Sequence, residues 1–174
     1  THRNKPIFRG TIEGAIPGSL AENAVMSSVQ RSATAWNALD SAGVPGITDV
    51  WGAPIHAGVN VNVQMKQTYR GQAKQAAAAL WGSSASHVRY KHVIVVDDDI
   101  DVSNLEELIW AMITRSDPAS SIDIIHNCWS TPLDPRIPPE EKAKGNLTNS
   151  RAIIDACRPF HWKDEFPAVN SPEP

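Results

Sequence analysis

Apolar and polar positions change period along this chain, and each period predicts an element. Ser19 and Glu22 stand three apart as a capping box, which starts a helix running to about Ser41. Its apolar positions, Val25, Val29, Trp36 and Leu39, roughly follow the helical repeat, and Gly43 stops it. "VPGITDVWGAP" (44–54) reads as a strand between turns, and Lys5–Arg9 as a short strand near the start. "VNVNVQM" (59–65) alternates: Val59, Val61, Val63 and Met65 face one way, Asn60, Asn62 and Gln64 the other. That pattern predicts a half-buried strand with an antiparallel neighbour.

Residues 68–81, "TYRGQAKQAAAALW", are rich in helix formers and predict a helix despite Gly71. A short β-branched run, Val93–Val96, predicts a buried strand over 92–97. Ser103 and Glu106 form a second capping box, and Leu105, Leu108, Ile109 and Met112 make one apolar stripe on a helix ending near Arg115. "IDIIHNC" (122–128) and "AIIDAC" (152–157) read as further strands, separated by a Pro-rich stretch from Pro132 to Pro139. The tail from Pro159, with four prolines, is expected to be irregular. No internal repeat interrupts this alternation. The pattern predicts an α/β fold: a layered domain with a mixed β-sheet flanked by helices.

Composition narrows the class. A chain of 174 residues with 41% hydrophobic and 20% charged residues is globular and buries a proper core. Its net charge of −3 and pI near 6.0 offer no broad attraction for nucleic acid or an anionic membrane surface. No apolar run approaches the ~20 residues that cross a bilayer, and no signal peptide is read, so the expected location is cytoplasmic. Cys128 and Cys157 follow no CxxC pattern, which argues against a disulfide framework or a zinc site. Thr1 in place of Met marks the chain as an expected fragment.

The candidate chemistry sits mainly in "VVDDDID" (95–101). Carboxylates at Asp97 and Asp99 after a buried strand suit a hard divalent cation, as in nucleotide-sugar glycosyltransferases. Against this, Asp101 and Ser103 stand where a helix N-terminus favours negative charge and hydroxyl caps. Arg115 is favoured at a helix C-terminus by the dipole alone. The histidines, His2, His56, His87, His92, His126 and His161, show no metal-ligand spacing. Ser83, Ser84 and Ser86 lack a GxSxG elbow, and the glycines at 10, 14 and 18 lack both P-loop and dinucleotide spacing.

One longer stretch is more specific. "KHVIVVDDDIDVSNLEELIWAMITRSDP" resembles the signature region of the UbiD family of (de)carboxylases. There a hydrophobic strand ends in two aspartates and Ile or Val, and a helix reading Trp-Ala-x-x-Thr-Arg precedes a proline. Here these are Val93–Asp101, then Trp110, Ala111, Thr114, Arg115 and Pro118. "IPGSLAENAVM" upstream, and "PLDP" (132–135) and "AIIDACRP" (152–159) downstream, match in the same order over nearly the whole chain.

The resemblance implies a C-terminal domain over 1–158 with a Pro-rich tail over 159–174, the N-terminal and middle domains being absent. It implies non-oxidative, often reversible decarboxylation of an aromatic, heteroaromatic or unsaturated acid by the parent enzyme. The implied cofactor is prenylated FMN with Mn²⁺ or Mg²⁺ and K⁺, supplied through a flavin prenyltransferase. The family's Glu-Arg-Glu acid/base network lies in the absent domains. No residue here is assigned catalytic, cofactor-binding or metal-binding, the isolated chain is expected to be inactive, and the aspartate run is read as structural. Two segments match pocket-facing parts: Asn23, Met26 and Ser27 at the start of the first helix, and Pro132–Leu133 in a flap. An amide at Asn23 suits a heteroaromatic or hydroxylated substrate, although Asn23 and Glu22 also serve a helix's first turn. Some members place a lysine shortly before the aspartate-ended strand, reaching the cofactor phosphate; the corresponding stretch here is "SSASHVRY" (83–90), and neither Arg89 nor Lys91 is expected to substitute for it. The expected partners are copies of itself, as a dimer or hexamer, with no nucleic acid and no membrane. A non-catalytic oligomerisation module and a glycosyltransferase using Asp97 and Asp99 are the alternative readings.

Overall fold

A computed structural model describes residues 22–54, 59–84 and 89–167, with the side chains of 22–26 outside the description. The expected strand at Lys5–Arg9 and the cap at Ser19 lie outside it.

The elements run α1 (Glu22–Ser41), β1 (Ile47–Trp51), β2 (Asn60–Met65), α2 (Gln72–Gly82), β3 (His92–Asp97) and α3 (Leu105–Arg115). They continue with α4 (Pro118–Ser121), β4 (Ile122–Trp129), α5 (Pro139–Ala143), β5 (Thr148–Ala156) and a 3₁₀ turn (Phe160–Trp162). The five strands form one sheet in the order β1-β2-β3-β5-β4. β2, β3 and β5 run parallel, while β1 and β4 flank them antiparallel. The sheet is mixed, as the alternation of periods predicts.

Val61, Val63, Met65, Val93, Val95 and Ile153 cover one face and meet Ala35 and Leu39 of α1 and Ala73, Ala76, Ala77 and Leu80 of α2. The alanines keep α2 close to the strands, so the large side chains on this side come from the sheet. On the opposite face Val96 and Ala156 pack with Ile100, Val102, Leu108 and Ala111 beneath α3.

Four local expectations are corrected. β2 is antiparallel to β1 as expected, but it is not half-buried. Asn62 is 2% exposed and donates to the Val102 carbonyl at 2.9 Å, and Gln64 donates to Ile100 at 2.8 Å, so the loop after β3 covers the polar face. α2 starts at Gln72, because Gly71 stands at its N-cap in the left-handed region (φ 84°). α1 buries Ser28, Arg31, Ala35 and Leu39, leaving Val29 67% exposed and Trp36 half-exposed. α3 is capped by Asn104, whose side chain accepts from the Glu106 and Glu107 amides, while the Ser103 hydroxyl donates to Asp101. Its inward line is Leu108, Ala111 and Arg115, and Leu105 and Ile109 face out. In both helices a polar side chain with buried partners displaces an apolar residue from the inner face.

Candidate functional site

The sheet has two ends with different chemistry. At the carboxyl ends of β2, β3 and β5, the usual ligand crevice of a parallel sheet, the molecule fills the space with its own charges. Arg115 reaches down from the last turn of α3 and forks onto Asp99 with two bonds of 2.8 Å, and its Nη1 also donates to Asp97 at 3.1 Å. Arg158, just past β5, donates to Asp97 through its backbone amide at 2.6 Å and its Nε at 3.2 Å. Gln67, past β2, donates to Asp97 at 2.7 Å and to the Arg158 carbonyl at 2.9 Å. The Trp110 ring lies 5.1 Å from the Arg115 guanidinium carbon.

The fork from Arg115 is the main reason that the Asp99 carboxyl sits below its ordinary range. Burial works against the charge on Arg115, but Asp99 and Asp97 outweigh it and raise its pKa. Both aspartates thus have their oxygens engaged by guanidinium and amide donors. Among the described residues no three His, Cys, Asp or Glu side chains converge as a metal site. The donor set at Asp97 and Asp99 therefore does not fit a divalent cation, and the glycosyltransferase alternative loses its site. The run of aspartates is a charge node joining three strand ends to α3. Attributing Arg115 to the helix dipole alone missed this role. The signal was in the spacing: Arg115 lies seven residues after Leu108, on the same inward line.

The opposite end gathers the residues read as pocket-facing. Trp51 of β1 pairs with Asn62 and Trp129 of β4 with Thr148, so both flanking strands finish where β2, β3 and β5 begin. The early turns of α1 are fixed there. Arg31 Nη1 donates to Ser27 Oγ at 2.6 Å, and the Gly52 amide donates to Ser32 Oγ at 2.9 Å. Asn23 and Met26 stand on the preceding turn of α1, their side chains outside the description. Pro132 and Leu133 lie in the loop between β4 and α5, with Leu133 63% exposed. The next residue, Asp134, is 2% exposed and accepts from Lys91 Nζ at 3.0 and 3.2 Å, Asn149 at 2.8 Å and the Arg136 amide at 2.9 Å. Burial opposes its ionisation, yet those donors hold its pKa below the usual range. Ser27 and Pro132–Leu133 thus stand at the same end of the sheet. Sequence reading gave no role to Asp134 and Asn149, because a buried polar network is assembled from distant segments. Beside the loop lies a groove of about 600 Å³ lined by His92, Arg136, Asn146, Asn149 and Ser150 among others.

Residues 24–156 match the model of the 3-octaprenyl-4-hydroxybenzoate carboxy-lyase C-terminal domain. The chain belongs to the UbiD family. It is 33% identical over 159 residues to the phenolic acid decarboxylase of Sedimentibacter hydroxybenzoicus, covering 91% of this chain and 31% of that enzyme. With the gallate decarboxylase of Lactiplantibacillus plantarum it shares 28% over 172 residues, covering 95% and 34% of the two chains. The UbiD-class enzyme HmfF from Pelotomaculum thermopropionicum, solved in complex with FMN, superposes with a TM-score of 0.74 at 26% identity, covering 90% of this chain and 33% of that one. This UbiD C-terminal domain spans about a third of the length of the curated relatives it matches, and the matched region takes in all five strands.

The Lys91 ammonium is engaged by Asp134, and Arg89 is exposed. Among the described residues no helix is long and apolar enough to cross a membrane.

Proposed function

We propose that the whole protein is a UbiD-class carboxy-lyase that removes CO₂ from a hydroxylated aromatic acid, and that this domain supplies one wall of its substrate pocket. The observation that carries the reading is the family match over residues 24–156, joined to curated relatives that decarboxylate phenolic acids and gallate. A flavin is inferred from neighbours solved with FMN and prenylated FMN. Prenylation of the cofactor by a partner enzyme, Mn²⁺ or Mg²⁺, K⁺, and a cytoplasmic location follow from the family resemblance. The cofactor supplies an electron sink for the pair left behind as CO₂ departs. Acid/base chemistry belongs to the Glu-Arg-Glu network of the other domains.

The share of this domain is orientation and the exclusion of water. Ser27, Asn23 and Met26 form one side of the pocket, and Pro132 and Leu133 lie over the substrate ring. An amide at Asn23 can hydrogen-bond a phenolic hydroxyl. Replacing Asn23 with Leu in the full-length enzyme is expected to lower kcat/KM for hydroxylated acids at least about tenfold, with little loss on an unsubstituted aromatic acid. Equal losses on both substrates count against that contact.

The reading itself is tested by co-expressing the full-length protein with a flavin prenyltransferase. A flavin-like visible spectrum and CO₂ release from a phenolic acid are expected, alongside a colourless preparation of this domain alone. Bound flavin in the isolated domain would overturn the division of roles.

A second reading concerns the domain in isolation, as an oligomerisation module. Leu105, Ile109 and Ile113 line the outer face of α3 at 60%, 44% and 75% exposure, and such a stripe favours self-association. Sedimentation of the isolated domain at rising concentration tests it. A strict monomer refutes it.

A further inference from the structure

Tyr90 and Lys91 are consecutive residues at the entrance to β3, and each grips a different segment. The Tyr90 ring is 1% exposed, and its hydroxyl donates to the Arg31 carbonyl in α1 at 3.1 Å. Arg31 in turn holds Ser27. Lys91 reaches the other way, onto both carboxylate oxygens of Asp134.

The backbone of this pair is itself fastened. The Tyr90 carbonyl accepts from the Trp81 indole at 2.8 Å, and the Lys91 carbonyl accepts from the Ala152 amide of β5 at 2.9 Å. Two side chains thus extend from one fixed bracket to the two segments assigned to the pocket.

We propose that Tyr90 and Lys91 are positioning residues that set where the Ser27 turn of α1 and the Pro132–Leu133 loop stand relative to each other, and hence the width of the substrate pocket. The proposal rests on the pocket assignment made above. Its force comes from Asp134. A carboxylate taken this far out of water needs its donors; the Arg136 amide belongs to the loop itself, but Lys91 and Asn149 stand on the sheet and supply theirs only while the loop stays down. Leu133 is the adjacent residue, so its Cα lies one virtual bond, about 3.8 Å, from that anchor. Lifting Leu133 far from the sheet requires breaking the bonds from Lys91 and Asn149. The loop is therefore held to the sheet by a partly buried ion pair and one amide hydrogen bond, with the Lys91 ammonium and the Asn149 amide on the sheet side and the Asp134 carboxylate on the loop side.

The test combines exchange and kinetics. In this domain, Lys91→Met is expected to speed hydrogen exchange at the Asp134, Arg136 and Ile137 amides at least about tenfold, since a hydrogen bond to a charged group is removed. Amides of β2 and α2 keep their wild-type rates, and Lys91→Arg restores the slow exchange. Asp134→Asn gives the same loop-specific acceleration from the other partner, which keeps the test valid if Lys91→Met folds poorly. In the full-length enzyme loaded with cofactor, Lys91→Met is expected to raise KM for the aromatic acid about tenfold while kcat stays within about twofold, and Tyr90→Phe to raise KM about threefold. Unchanged exchange over 131–137 in Lys91→Met would overturn the bracket. Faster exchange with an unchanged KM would overturn the positioning role, while decarboxylation by the wild-type enzyme would leave the proposed function standing. A cofactor-loaded wild-type enzyme that releases no CO₂ is the separate failure of that function, and it removes the pocket role with it.

Discussion

Arg115 shows how one side chain decides a local structure. It is 5% exposed and holds Asp97 and Asp99 together with Arg158. Arg115→Met preserves much of the stem but leaves Asp97 buried with less positive charge around it. The expected cost is about 3–5 kcal/mol, the usual penalty for removing one partner of a buried pair. Urea unfolding measures it, and a loss under about 1 kcal/mol would show that Arg158 and Gln67 suffice alone. This node, with the Asp134 anchor at the opposite end of the sheet, predicts an acid response. Asp99 and Asp134 have folded pKa values depressed below the ordinary range. Their contribution is present above the unfolded carboxyl pKa of about 3.9 and disappears as pH falls through the lower folded values. The urea midpoint is expected to fall as pH drops from about 5 to 3, and less steeply in Arg115→Met, which lacks the main donor to Asp99. At this scale the sequence revealed the acidic cluster but not its partner. Asp97 and Arg158 are 61 residues apart, and no local periodicity records so distant a pairing.

Helices α1 and α3 were legible as helices, with the end of α1 and both ends of α3 close to those expected, yet the inner face of each was misjudged. Hydrophobic periodicity assumes that the buried line is apolar. Among the described side chains of α1 that line includes Ser28 and Arg31, because the helix lies against backbone at the end of β1 rather than against side chains. Gly52 makes this approach possible. A Cβ there would stand 2.8 Å from the Arg31 Cβ and 3.3 Å from the Ser32 nitrogen. Neither neighbour is the free end of a flexible chain, so Gly52→Ala must push α1 outward. The expected loss is about 1–3 kcal/mol, together with weakening of the bond from the Gly52 amide to Ser32. Thermal unfolding checks the first effect, and exchange at the Gly52 amide checks the second. The strands fared better: β-branched runs at 93–96 and alternation at 59–65 both gave the strand, though only the structure shows that β2 is covered on both faces.

At the scale of the whole molecule, the mixed sheet was readable from alternating periods, whereas the strand order was not. Order depends on long-range pairing, and β5 enters between β3 and β4 although it comes last in the chain. Eight of the nine β5 residues, Thr148, Asn149 and Arg151–Ala156, are registered against one or both of these neighbours. A chain ending at Gly145 therefore keeps four strands in sequence but leaves β4 without a sheet. Such a truncation is expected to lose cooperative unfolding and dispersed amide signals. A cooperative transition in it would show that β5 is dispensable.

The inserted strand also imposes an order of events during synthesis. β4 leaves the ribosome with its backbone unpaired, because its pairing strand starts 19 residues behind Trp129, at Thr148. At ~5–20 residues per second that is a wait of roughly one to four seconds. For that interval the nascent chain displays an apolar strand with no partner, a natural client for a chaperone that binds extended hydrophobic segments.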